Sequence, residues 1–277
     1  MPEIPELEAI AGFFAEHLPG HEITRAETRI PHVFRSPASE FRDTLAGDAF
    51  TGVRRHGKFL LFDLASARTL AINPMLTGRF QFVPPKTKLP AKTCLVVDLE
   101  DSPQFRYADA RVMGKLYLLP SDGLEAIPGW TDNGPDLLDP ELTEDAWVAR
   151  IKKYRGQVKN ILTNAAFVQG IGNAYSDEIL WEARINPATT RTALSEDQLR
   201  ELYRAAHAVM DWATPLVRDA MVKDGTLDYE ERRDFMRVHR RGGEACPRCG
   251  ATISEIAPNQ RVTSYCRQCQ PGGYAGE

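Results

Sequence analysis

The chain has 277 residues, 43% of them hydrophobic and 26% charged, with a formal net charge of −4. That length gives one large or two ordinary domains with room for a real core, and the composition is that of an ordinary folded protein. No apolar run approaches the roughly 18 residues of a membrane span, and no basic stretch followed by an apolar one opens the chain, so a membrane protein or a secreted one is not expected and a cytoplasmic location is.

In chain order, ELEAIAGFFAEHL predicts a helix: Leu7, Ile10, Phe14 and Leu18 recur at helical spacing, with Pro5 in the first turn. From residue 21 to about 119, short apolar or alternating runs (FLLFDL, TLAINPML, RFQFV, CLVVDL, KLYLL) are separated by Gly, Pro and charged turns. This texture predicts a β-sandwich or barrel-like pair of sheets. The Gly-, Pro- and Asp-rich stretch 123–142 reads as a linker. Helical patterns follow in TEDAWVARIKKY, VKNILTNAAF, AYSDEILWEARI and a long run opening at Ser195 and Asp197, both cap candidates. The expected class is α+β. An N-terminal helix and two-layer sandwich occupy 1–122, a helical domain occupies 143–242, and a Cys- and Gly-rich tail occupies 243–277.

Charge is unevenly spread: residues 1–146 carry 15 Lys+Arg against 22 Asp+Glu, and residues 147–277 carry 19 against 16. Local patches, rather than net charge, set where a polyanion docks. Lys152, Lys153, Arg155 and Lys159 precede a glycine turn, QGIGN, with Gly170, Gly172 and Asn173 at the head of a predicted helix. Such a turn lets backbone N–H groups approach a phosphate, and it is equally an ordinary helical hairpin.

In the tail, Cys246-x2-Cys249 and Cys266-x2-Cys269 are separated by sixteen residues. This spacing, on a stretch long enough for a hairpin, suits one tetrahedral Zn²⁺ held by four thiolates, and with every position filled the metal is structural. A tail of this size has too little core to fold well without it. Cys94 lies inside an apolar run as a small buried hydrophobe. Gln260, Arg261, Tyr265, Arg267 and Gln268 ride on the same hairpin, where fixed cations suit phosphate contact.

Four separated segments, in order, resemble the formamidopyrimidine-DNA glycosylase/endonuclease VIII family: MPEIPE at the N-terminus, RRHGKFLLFDL, QGIGNAYSDEIL and NQRVTSYCRQCQ. The resemblance covers nearly the whole chain. It implies a helix–two-turns–helix domain with a zinc-ribbon hairpin, damaged double-stranded DNA bound in a cleft between the domains, and a monomer. It implies a bifunctional base-excision-repair enzyme, a DNA glycosylase and abasic-site lyase acting on oxidised bases through β,δ-elimination. Pro2 would be the nucleophile, freed by loss of Met1, and Glu3 would move protons beside it. Lys58 would contact phosphate and serve as acid in β-elimination, and Arg261 would clamp phosphate for δ-elimination. Asn173, Arg155 and Lys159 match DNA-contact positions, and Glu6 matches a second glutamate with a structural role. Arg111, Met113 and Leu76, the last placed on a strand, match the side chains that fill the duplex where a nucleotide has been everted.

Two departures bear on substrate. Thr93 replaces a histidine usual in the family, and the segment 225–246 is shorter than in members that close a loop over 8-oxoguanine, which leaves a more open pocket. Ring-opened purines, oxidised pyrimidines and abasic sites all stay open as substrates. Two other readings remain: a damaged-DNA binding protein without catalysis, and a small-molecule enzyme using an N-terminal proline base.

Overall fold

The computed structural model describes residues 2–229, 233–257 and 261–272. The chain forms two compact units, one of residues 1–131 and 214–232, the other of 132–213 and 233–277.

The first unit opens with helix α1 (Ile4–His17), where Glu3 and Glu6 close a capping box and Pro5 occupies the first turn. Short helix α2 (Ala38–Leu45) follows strand β1 (Ile23–Thr28). Strands β2 (Phe50–His56), β3 (Phe59–Leu64), β4 (Arg68–Asn73) and β8 (Lys115–Pro120) form a four-stranded antiparallel sheet. β1, β5 (Gly78–Val83), β6 (Thr93–Leu99) and β7 (Gln104–Asp109) belong to a second, six-stranded sheet in the order β1-β6-β7-β5, continued beyond β5 by two short strands from later in the chain. Aromatic rings join the layers. Phe62 of β3 lies 4.9 Å from Phe105 of β7, and Phe14 of α1 meets Phe62, Phe80, Phe82 and Phe105 edge-on. The expected helix-plus-sandwich class is the observed one.

The last two strands of that sheet, β9 (Val222–Lys223) and β10 (Thr226–Asp228), come from a part of the chain read as helical. Leu227 pairs with Phe82, and the Gln81 amide donates to Asp228 at 2.9 Å. Leu227 is fully buried, so the pairing hides both an apolar side chain and the edge of β5.

The stretch 123–142, read as a linker, contains the boundary between the two units at 131/132 and is packed within its own unit on each side. Leu124 and Ile127 are buried with Leu61, Ala71 and Tyr117, and Trp130 packs beside them; in the second unit, Leu137 and Leu142 are buried. Its Gly and Pro set turns, while its apolar residues supply the anchors.

The second unit contains α3 (Glu144–Ile151), α4 (Val158–Leu162), α5 (Asn173–Glu182) and most of α6 (Glu196–Met221). Ser195 accepts from Gln198 N–H, and the Gln198 side chain accepts from Ser195 N–H, so Ser195 is the cap and Asp197 lies inside the first turn. Strands β11 (Ile253–Ile256) and β12 (Thr263–Cys266) form the hairpin of the tail.

Candidate catalytic and DNA-contact residues

At the N-terminus, Pro2 is buried and Glu3, 2% exposed, donates its N–H to Glu6 Oε2 at 2.8 Å. Glu6 is thus tied into the cap, holding the first residues in a fixed path. Met1 lies outside the described residues. Lys58 occupies the two-residue turn between β2 and β3, where Gly57 adopts a φ of +55° that the tight hairpin requires. Burial lowers the pKa of the Lys58 ammonium, and the nearby charge of Glu3 opposes that shift. Glu3 and Lys58 therefore share one electrostatic environment.

Arg55 connects these pieces and was not singled out by its sequence context. Its side chain is 4% exposed, donates from Nε to Glu8 of α1 at 2.5 Å and from Nη1 to the Gly57 carbonyl at 2.9 Å. One guanidinium thereby fixes the turn carrying Lys58 against α1, in a planar fork a lysine cannot supply. The only sequence hint is the doubled arginine of RRHGK.

Leu76 lies in the turn 74–77 between β4 and β5, a correction to its placement on a strand; Pro74 ends the ladder and Gly78 restarts it. Arg111 and Met113 lie on the neighbouring turn between β7 and β8, both exposed, Met113 at 38%. Thr93 is buried, and its hydroxyl donates to the Pro90 carbonyl.

In the second unit, Gly170 has a φ of +96° and Gly172 caps α5, which begins at Asn173. The Asn173 amide donates to the Val262 carbonyl at 2.8 Å, next to Arg261. Arg261 is exposed at the head of β12; Gln260 lies outside the described residues, as do residues 230–232 of the shortened segment. Arg155 is exposed.

Lys159, expected at a DNA-contact position, is buried. It is 7% exposed, and its ammonium donates to Asp177 at 2.6 Å, Thr263 Oγ1 at 2.7 Å and the Val262 carbonyl at 3.1 Å. Asp177 also accepts from His239 Nδ1 and Ser264 N–H. Glu178, whose pKa burial raises, accepts three consecutive N–H groups, those of Arg237, Val238 and His239. Asp177 thus holds β12, and Glu178 holds the segment 237–239 that precedes the tail. The nearby Lys152 pairs with Glu196 at 2.5 Å on the surface.

The four tail cysteines place their sulfurs within 4.8 Å of one another, with Cys246–Cys269 at 3.9 Å and Cys249–Cys266 at 3.5 Å. Tetrahedral zinc with bonds of about 2.3 Å sets its sulfurs about 3.8 Å apart, so the group fits the ion. Gln270 anchors the second knuckle, accepting from Cys266 N–H and donating to the Ile185 carbonyl. The chain carries one structural zinc here.

A helix-capped sandwich followed by a glycine-turn helical unit with a four-cysteine hairpin is an architecture of DNA-repair glycosylases. Residues 1–116 match the formamidopyrimidine-DNA glycosylase N-terminal domain, residues 133–222 the H2TH domain of the same enzymes, and residues 243–272 the zinc finger found in FPG and IleRS. The formamidopyrimidine-DNA glycosylase of Pelotomaculum thermopropionicum is 33% identical over 275 residues, covering 98% of this chain and 99% of its own. That of Moorella thermoacetica is 33% identical over 261 residues, covering 92% and 94%. Among solved structures, the complex of Lactococcus lactis Fpg with abasic-site DNA superposes with a TM-score of 0.87 at 25% identity, covering 98% of this chain and 100% of that one. The wild-type Lactococcus lactis Fpg complex with oxidised-pyrimidine DNA gives the same values. The chain belongs to the formamidopyrimidine-DNA glycosylase family.

Proposed function

We propose that Pro2 is the nucleophile of this enzyme, with Glu3 and Lys58 as its proton-handling partners. The enzyme is a base-excision-repair DNA glycosylase with abasic-site lyase activity. It works on damaged double-stranded DNA as a monomer in the cytoplasm. No helix among the described residues is long and apolar enough to cross a membrane.

Loss of Met1 turns Pro2 into a terminal secondary amine. At pH 7 an α-amine of pKa about 7.7 is neutral in roughly one molecule in six, against roughly one in 2,500 for a lysine at about 10.4. The neutral amine attacks C1′ as the damaged base departs with a proton; the amine then loses its N–H proton and the C1′–O4′ bond opens, O4′ taking a proton, which leaves an iminium joining Pro2 to C1′. The iminium withdraws electrons from C2′, whose proton passes to a base, and the 3′ phosphate leaves; loss of the 5′ phosphate follows. Glu3, fixed at the cap of α1, is the group for proton transfer at the sugar. Lys58, held by Arg55, supplies a cation to phosphate and a proton to the β-elimination. Arg261 and Asn173, adjacent through Val262, would grip the backbone phosphates, with Arg155 adding a peripheral contact. The eversion that exposes C1′ leaves a gap for Leu76, Arg111 and Met113.

The observation that carries this reading is the shared environment of Glu3 and the partly desolvated Lys58 ammonium at the start of α1. Borohydride trapping on an abasic duplex tests it. Wild-type protein lacking Met1 should form a covalent adduct, and Pro2→Gly should not. Strand cleavage by protein shown by intact mass to retain Met1 would overturn it.

A further inference from the structure

We propose that Asp109 is a positioning residue for base eversion: one buried carboxylate locks the turn bearing Leu76 to the turn bearing Arg111 and Met113. The proposal rests on the assignment of those three side chains to the everted-base gap.

Asp109 ends β7 and is fully buried. Its Oδ2 accepts from Met113 N–H at 2.8 Å and Gly114 N–H at 2.6 Å. Its Oδ1 accepts from Arg111 N–H at 3.1 Å and from the Thr77 hydroxyl. Thr77 Oγ1 in turn accepts from Arg111 N–H at 3.1 Å. Three backbone donors of one turn and the side chain of the other thus converge on a single carboxylate. Val112 has a φ of +55° and Met75 a φ of +50°, so each turn holds a residue in the left-handed region that its hydrogen bonds must sustain.

A second observation shows that the turns are mechanically joined. The Tyr107 ring lies beneath both. A Cβ on Gly78 would stand 2.6 Å from the Tyr107 hydroxyl, and one on Gly114 would stand 2.0 Å from it. The turns therefore sit on a common floor and are tied by a common acceptor. Side chains entering a duplex must hold their places against restacking bases, and a displacement of about 1 Å in a positioned group costs up to about 100-fold in rate.

Substitutions separate the links. In Asp109→Asn, the amide oxygen must face the Met113 and Gly114 N–H groups, which turns the NH₂ toward Thr77 and toward the Arg111 N–H, whose bond to Oδ1 is lost while its bond to Thr77 Oγ1 remains. The Thr77 hydroxyl can reverse and accept, so the tie is weakened and kept. Thr77→Val added to Asp109→Asn removes the tie and the remaining acceptor of the Arg111 N–H, leaving the Met113 and Gly114 bonds in place.

The test compares abasic-site cleavage in a single strand, which needs no eversion, with cleavage of the same site in duplexes opposite each of the four bases. Asp109→Asn/Thr77→Val should lower duplex cleavage about tenfold or more relative to single-strand cleavage and flatten the preference among opposite bases. Borohydride trapping on the single strand should stay near wild type. A parallel fall on both substrates, or no change on either, overturns the proposal. If the double variant does not fold, Asp109→Asn and Thr77→Val are scored singly by the same ratio. Arg111→Ala/Met113→Ala is the reference. Should it leave the ratio unchanged, the gap-filling assignment itself is wrong; should it shift the ratio while the Asp109 variants do not, only the positioning role is wrong.

Discussion

The ammonium of Lys159 lies 2.6 Å from the carboxylate of Asp177, and both side chains are almost fully buried. Breaking a buried pair from one side leaves an uncompensated charge and costs about 3–5 kcal/mol. Lys159→Met should therefore lower stability by about that amount in chemical denaturation. Its effect on DNA binding should be insensitive to salt, because no phosphate contact is lost. Arg155→Ala should do the reverse, leaving the melt unchanged and flattening the slope of log K against log salt by about 0.9. A flattened slope in Lys159→Met would restore it as a phosphate contact.

Lys58 gives a pH signature. Burial lowers its pKa, so the alkaline limb of abasic-site cleavage should fall below the value of about 10.4 for an ordinary lysine, and Lys58→Arg should move the limb beyond the measurable range. Between the folded and unfolded values the unfolded chain binds more protons, so stability rises with pH across that window. Below it the cost of burying the cation is fully present. Lys58→Met should consequently raise the melting temperature at neutral pH while abolishing efficient cleavage. An unchanged or lower melting temperature would contradict the burial argument.

The zinc hairpin is coupled to α5 through Trp181, whose indole N–H points at Cys246 Sγ across 3.4 Å. Donors to metal-bound ligands typically carry a factor of about 10–100 in metal affinity. Trp181→Phe should lose that factor in a chelator competition read by a metal-sensitive dye. Stripping the metal from wild-type protein should change tryptophan fluorescence and abolish DNA binding, since Arg261 rides on the same hairpin. Metal retention unaltered in Trp181→Phe would assign the contact to packing alone.

Phe14 tests the sandwich core. It is fully buried, with its ring centroid 5.1 Å from that of Phe105 and 5.6 Å from that of Phe62. Phe14→Ala should cost about 3–5 kcal/mol, measured by denaturation. A cost under about 1 kcal/mol would mean that the layers do not close on this ring.

Features set by short-range pattern were legible in the sequence. The cysteine spacing, the glycine turn before α5 and the alternating runs of the sandwich each follow from residues a few positions apart. Features set by distant partners were not. The burial of Lys159 depends on Thr263, a hundred positions away, so its basic neighbours made it look like a surface cation. Strands β9 and β10 are two and three residues long, too short for periodicity, and exist because β5 offers an edge. Arg55 meets Glu8 only when α1 packs beside the turn after β2, and Asp109 meets Thr77 only when two turns are brought together.

The dependence of β5 on residues 226–228 also governs how the protein is made. A ribosome finishes Val83 long before it reaches Asp228, and at about 5–20 residues per second the wait is on the order of ten seconds. During that interval the nascent sheet presents an open flank, because its covering hairpin has yet to be translated. A fragment ending at residue 131 would keep that flank permanently, and should self-associate wherever the full-length chain stays soluble.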